Sequence, residues 1–76
     1  MGKVKVKYLG YLADLAGARE VEVEVDGKAK VEDVAPVIKK LRRSDYVLLV
    51  DGRGAEPETL VGPGSTVVLL PETGGG

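Results

Sequence analysis

The chain contains no cysteine and no histidine among its 76 residues. Without cysteine there is no disulfide framework, no thiolate nucleophile and no sulfur ligand for a metal. Without histidine the commonest general base and the commonest zinc ligand are also missing. These absences argue against a self-sufficient enzyme and against a metal site. Asparagine and glutamine are absent too, while Lys, Glu and Arg are plentiful, a balance that points to a thermophilic source. No apolar run approaches the roughly 20 residues that span a bilayer, and the opening Met1-Gly2-Lys3-Val4-Lys5 lacks the apolar core of a signal peptide. The expected setting is the cytoplasm, away from membranes. Eleven basic and twelve acidic side chains are spread along the chain, so it carries no electrostatic footprint of a nucleic-acid binder. A partner is expected to be a protein.

What is present suits one small globular domain: 43% of residues are apolar and 30% charged. Lys3, Lys5 and Lys7 alternate with Val4, Val6 and Tyr8, and Glu20, Glu22 and Glu24 alternate with Val21, Val23 and Val25. Both stretches have the period of a half-buried strand. Paired antiparallel, they set lysines against glutamates on one face, and any register opposing like charges is disfavoured. Either charged row could serve as a recognition surface or simply as a solvated ladder. Between the strands, Leu12, Leu15 and Ala16 recur at helical spacing before Gly17, predicting a short helix with a glycine stop. Asp26-Gly27 marks a turn.

Residues 31–43 form the one sustained helical pattern. Val31, Val34, Ile38 and Leu41 make an apolar stripe with Ala35 and Val37 beside it, acidic residues stand near the start and basic residues near the end. Pro36 is tolerated if Asp33 caps a helix that begins at Val34; a start at Val31 requires a local distortion. Tyr46-Val47-Leu48-Leu49-Val50 reads as a strand closed by Asp51-Gly52 and Gly54, residues 55–60 as a loop, and Thr59-Leu60-Val61 as a very short edge strand. Gly62-Pro63-Gly64-Ser65 is a turn leading into Thr66-Val67-Val68-Leu69-Leu70. That last run lacks alternation, as expected of a central strand that is covered on both sides or parallel to its neighbour. Pro71 is expected to end it, because proline cannot extend a ladder as a donor.

One amphipathic helix and four or five strands give a two-layer α+β domain, with the last strand returning beside the first and parallel to it. This is the β-grasp arrangement: a mixed four- to five-stranded sheet with one main helix on one face. The domain spans residues 1–70, and residues 71–76 form a flexible glycine-terminated tail.

The opening from Val4 through Tyr8-Leu9-Gly10-Tyr11 to Gly17 is one part of a resemblance. The others are the Gly62-Pro63-Gly64-Ser65 turn before an apolar strand, Pro71 just after it and the closing glycines. Together they resemble the small subunit of molybdopterin synthase and its sulfur-carrier relatives, the MoaD/ThiS group, over the whole chain. The resemblance implies a ubiquitin-like fold and a non-catalytic carrier that holds no cofactor. An activating enzyme uses ATP to adenylate the terminal carboxylate, which becomes a thiocarboxylate and passes its sulfur to an acceptor, here a pterin, with the tail inserted into the large catalytic subunit of molybdopterin synthase. The reacting group is then the carboxylate of Gly76, with Gly75 and Gly74 forming an arm slender enough for a narrow channel. Elementary chemistry agrees, since a carboxylate with a pKa of about 3.3–3.7 is ionised at neutral pH and inert as an acyl donor until activated. Three glycines stand where relatives carry two, and Glu72-Thr73 stand where relatives carry apolar or small residues. Leu48, Val50, Val68, Leu70 and Pro71 are candidates for the partner-binding patch, with simple core positions as the alternative. The acceptor could instead be a thiazole precursor or a tRNA base. A ubiquitin-like modifier joined through Gly76 to target lysines, or a plain interaction domain, remains the competing reading.

Overall fold

The charged rows and the valines between them build one side of the sheet. In the computed structural model, which describes residues 2–72, β1 (Gly2–Tyr8) pairs antiparallel with β2 (Glu20–Val25). Lys3 lies opposite Glu24, Lys5 opposite Glu22 and Lys7 opposite Glu20, as the charges require. The ion pairs close on the diagonal, Lys3 Nζ to Glu22 Oε1 at 3.8 Å and Lys5 Nζ to Glu20 Oε2 at 3.9 Å. All four side chains stand about half in water, so the row selects a register more than it adds stability.

The expected short helix is α1 (Tyr11–Ala16), stopped by Gly17 in the left-handed region at φ 82° and ψ 10°. The Gly17 N–H donates to the Ala13 carbonyl. Leu12 is fully buried, whereas Leu15 of the same stripe is 56% exposed.

A single helix over residues 31–43 does not form. The chain enters β3 (Ala29–Lys30), then α2 (Val31–Val34), and breaks at Ala35 with φ −128° and ψ 72°. The residue before a proline is pushed out of the α region, so the distortion falls where Pro36 demands it. Pro36 opens a 3₁₀ turn (Pro36–Lys40), and a second one follows (Arg43–Asp45). Asp33 does not cap the helix. The Val31 and Glu32 amides donate to the Thr59 and Pro57 carbonyls, and the Asp33 carboxylate accepts from Lys39 Nζ at 3.1 Å. The apolar stripe is nonetheless buried at Val31, Val34, Ala35 and Ile38.

The remaining strands are β4 (Tyr46–Val50), β5 (Arg53–Gly54), β6 (Leu60–Val61) and β7 (Thr66–Pro71). The five-stranded sheet runs β2-β1-β7-β4-β5, with β7 central, parallel to β1 and antiparallel to β4. The fold is thus α+β and β-grasp. Asp51 and Gly52, at φ 52° and 84°, make a tight two-residue hairpin between β4 and β5. β6, the expected edge strand, pairs with β3 in a separate two-stranded ladder. The core lies between the helical side and the inward faces of β1, β4 and β7, and holds no buried charged or polar side chain among the described residues.

Candidate functional site: the open sheet face and the exit of the last strand

Successive side chains along a strand point to opposite faces, so β7 divides cleanly. Val67 and Leu69 are fully buried, while Val68 and Leu70 are half-buried on the other face. Across the ladder Val47 faces Leu70 and Leu49 faces Val68. Two cross-strand aliphatic pairs therefore stand on the face that carries no helix, and Lys7 borders Val68 on the β1 side. Leu9, just past the end of β1, adds a side chain that is 47% exposed, and its N–H donates to the Leu69 carbonyl at 3.0 Å. β7 is covered on one face only and runs parallel to β1, the second of the two arrangements that its unbroken apolar run allows.

At its far end β7 continues one residue beyond the expected stop. Pro71 lies opposite Tyr46, and the Glu72 N–H donates to the Asp45 carbonyl at 3.0 Å. That bond flanks the Tyr46–Pro71 pair, so these two residues exchange no hydrogen bond of their own, and the missing proline N–H leaves no gap toward β4. On its other side the Pro71 ring rests on Gly10. A Cβ built at Gly10 would lie 2.8 Å from Pro71 Cγ, and Gly10 sits at φ 59°. Tyr46 is 3% exposed, and burial pushes its phenol above the ordinary range despite the opposing influence of Arg43. The same burial raises Tyr8. Among the described residues no group of His, Cys, Asp and Glu could hold a metal ion, and no described helix is long and apolar enough to cross a membrane.

No protein-family model and no curated protein matches the chain. Solved structures do. SAMP1 of Haloferax volcanii is 27% identical with a TM-score of 0.78, over 99% of this chain and 100% of that one. A Pyrococcus furiosus protein assigned as molybdopterin converting factor, subunit 1, is 29% identical with a TM-score of 0.72, over 96% and 100%. Small archaeal modifier protein 1 of Methanosarcina acetivorans, 24% identical with a TM-score of 0.69 over 100% and 98%, adds support for the fold alone. The chain has the fold and the neighbours of the ubiquitin-like MoaD/ThiS group.

In that ubiquitin-like frame the candidate residues separate. Val68 and Leu70 lie on the open face, and Pro71 at its exit. Leu48 is 1% exposed and points into the core, and Val50 shares its side and packs against the core cluster. On β4 the side chains that share the open face are instead Val47 and Leu49, one position out of phase with Leu48 and Val50. No local signal sets the phase, because Val47, Leu48 and Leu49 are all aliphatic. Gly74, Gly75 and Gly76 lie outside the described residues. Gly10, Asp45 and Tyr46 were not singled out for the exit, because nothing local ties them to Pro71 and Glu72.

Proposed function

We propose that this chain is a ubiquitin-like sulfur carrier acting as the small subunit in molybdopterin synthesis, with the carboxylate of Gly76 as its reacting group. An activating enzyme attaches AMP from ATP to that carboxylate and releases pyrophosphate. Sulfur then displaces AMP at the carbonyl, and the thiocarboxylate delivers its sulfur to the acceptor. The carrier contributes no cofactor and no catalytic side chain; it presents a tail and a face. The observation that carries this reading is the placement of β7. One central strand supplies Val68 and Leu70 to the exposed apolar face and, one residue later, leads the chain through Pro71 and Glu72 toward the glycines. A partner gripping the face therefore has the tail at the edge of its footprint. The Pyrococcus furiosus neighbour supports the molybdopterin assignment.

A second reading is favoured by the Haloferax volcanii neighbour, whose name is that of a modifier. The same acyl-adenylate would then be transferred to a lysine amine of a target, forming an isopeptide bond and releasing AMP. Intact mass of the protein isolated from its own cells separates the two. Replacement of one carboxylate oxygen by sulfur supports the carrier, whereas target lysines that carry the chain's C-terminal peptide, residues 54–76 after trypsin, in isopeptide linkage support the modifier. Deleting Gly75 and Gly76 is expected to abolish adenylation with unfolding behaviour unchanged, and normal AMP exchange by that truncated chain would sink both readings.

A further inference from the structure

β4 is supported unevenly along its outer edge. β5 covers only Leu49 and Val50, and Ala55 donates its N–H to the Leu48 carbonyl at 3.0 Å. The next carbonyl on that edge, Tyr46 O, has no strand beside it. Arg43 takes the place of one. Its Nη1 donates to Tyr46 O at 3.1 Å, its Nη2 to Ala55 O at 3.0 Å and its Nε to Glu56 Oε1 at 3.0 Å. Its guanidinium carbon also lies 5.0 Å from the centroid of the Tyr46 ring, within cation–π range. A planar fork with donors in fixed directions can bridge two carbonyls and a carboxylate at once; an ammonium cannot.

The residues held by this fork are those that hold the exit of β7. Tyr46 lies opposite Pro71, and Asp45, in the 3₁₀ turn that Arg43 begins, accepts the Glu72 N–H. We propose that Arg43 is a positioning residue that fixes where the reactive tail leaves the domain, so that a partner enzyme meets Pro71 and Glu72 already ordered. This rests on the reading of Gly76 as the adenylated group. Without the fork the 43–45 turn loosens, and residues otherwise held by the sheet must be ordered during binding.

The test uses the full chain with its cognate activating enzyme, well below the unfolding midpoint of every variant. Arg43→Met keeps the aliphatic stem and removes the fork. It is expected to raise KM for the chain about tenfold, the factor associated with ordering one further residue, and to leave kcat unchanged. Exchange of the Glu72 amide with solvent deuterium, followed by NMR, should speed up by a similar factor. Arg43→Lys should behave like Arg43→Met, whereas Glu56→Gln, which spares both carbonyl bonds, should stay within about twofold of wild type. Wild-type KM and wild-type Glu72 exchange in a folded Arg43→Met chain would overturn the proposal, as would full rescue by Arg43→Lys. If the wild-type chain itself is not adenylated, the proposed function falls with the tail-presentation role built on it. Glu72 exchange then decides separately whether Arg43 orders the exit.

Discussion

Replacing Gly10 by alanine tests the seat of the last strand. Gly10 has φ 59° and ψ −144°, a combination that side chains with a Cβ adopt only under strain of about 1–3 kcal/mol. The new methyl would also stand 2.8 Å from Pro71 Cγ and 3.4 Å from Pro71 Cδ, so the ring must move off its seat. Displacing a packed ring adds about 1 kcal/mol, for a total near 3 kcal/mol. In a domain of this size each kcal/mol lowers Tm by about 4–8 °C, so a drop of roughly 12–24 °C is expected in thermal unfolding followed by circular dichroism. Gly17→Ala is the control: φ is again positive, at 82°, but nothing lies within 4 Å of the added carbon, and the loss should be about 1–2 kcal/mol. A double-mutant cycle of Gly10→Ala with Pro71→Ala, which removes the colliding Cγ and Cδ, should show coupling of about 1 kcal/mol. Equal losses for the two glycine variants together with a cycle that closes at zero would refute the seat.

Leu48→Ala should destabilise by about 2–5 kcal/mol in denaturant unfolding, and Leu49→Ala by under about 1 kcal/mol, because only Leu48 lies in the core. The reverse order would mean that the two faces of β4 are misassigned. Leu49→Asp should weaken capture by the partner enzyme at least about tenfold while leaving the fold intact. Lys5→Glu sets a third acidic group between Glu20 and Glu22 and should cost about 0.5–1 kcal/mol, less in high salt; a loss insensitive to salt would rule out the charge argument. Burial holds the phenols of Tyr8 and Tyr46 above their ordinary value, so the neutral form is favoured in the folded chain. That contribution is complete below about pH 10 and is lost as pH rises through the raised folded values, so Tyr8→Phe with Tyr46→Phe should flatten the alkaline fall in stability.

The legible parts of the sequence are those in which period and chemistry agree. Lysine and glutamate rows of period two admit one antiparallel pairing, and that pairing forms. Gly17 and Asp51-Gly52 occupy the turn geometries their types favour. Val47-Leu48-Leu49 and Val67-Val68-Leu69 carry no phase, because every position is aliphatic, so the sequence leaves open whether Leu48 and Val50 face a partner or the core, and the structure puts them on the core side. β3 and β5, at two residues each, are too short to have a period. The stripe from Val31 to Ile38 reported burial correctly but not helix continuity, since Pro36 breaks the backbone while leaving the apolar residues on the core side. The Gly10–Pro71 contact and the Arg43 fork join segments distant in sequence, and no local pattern announces them.

The central strand is seated at both ends by similar means. At its start Pro63 lies so close to Gly2 that a Cβ there would come within 2.6 Å of the proline Cβ, and Asp51 exchanges bonds with Thr66 through its N–H and its Oδ1. At its end Pro71 rests on Gly10 and Glu72 bonds Asp45. A strand held between two such seats cannot slide by one residue. A slip would move Val67 and Leu69 into water and Val68 and Leu70 into the core, and it would shift the exit along the sheet at the same time. The makeup of the apolar face and the point where the tail begins are thus set by one register. A partner that recognises the face also locates the tail, and a substitution that disturbs the register of β7 removes both together.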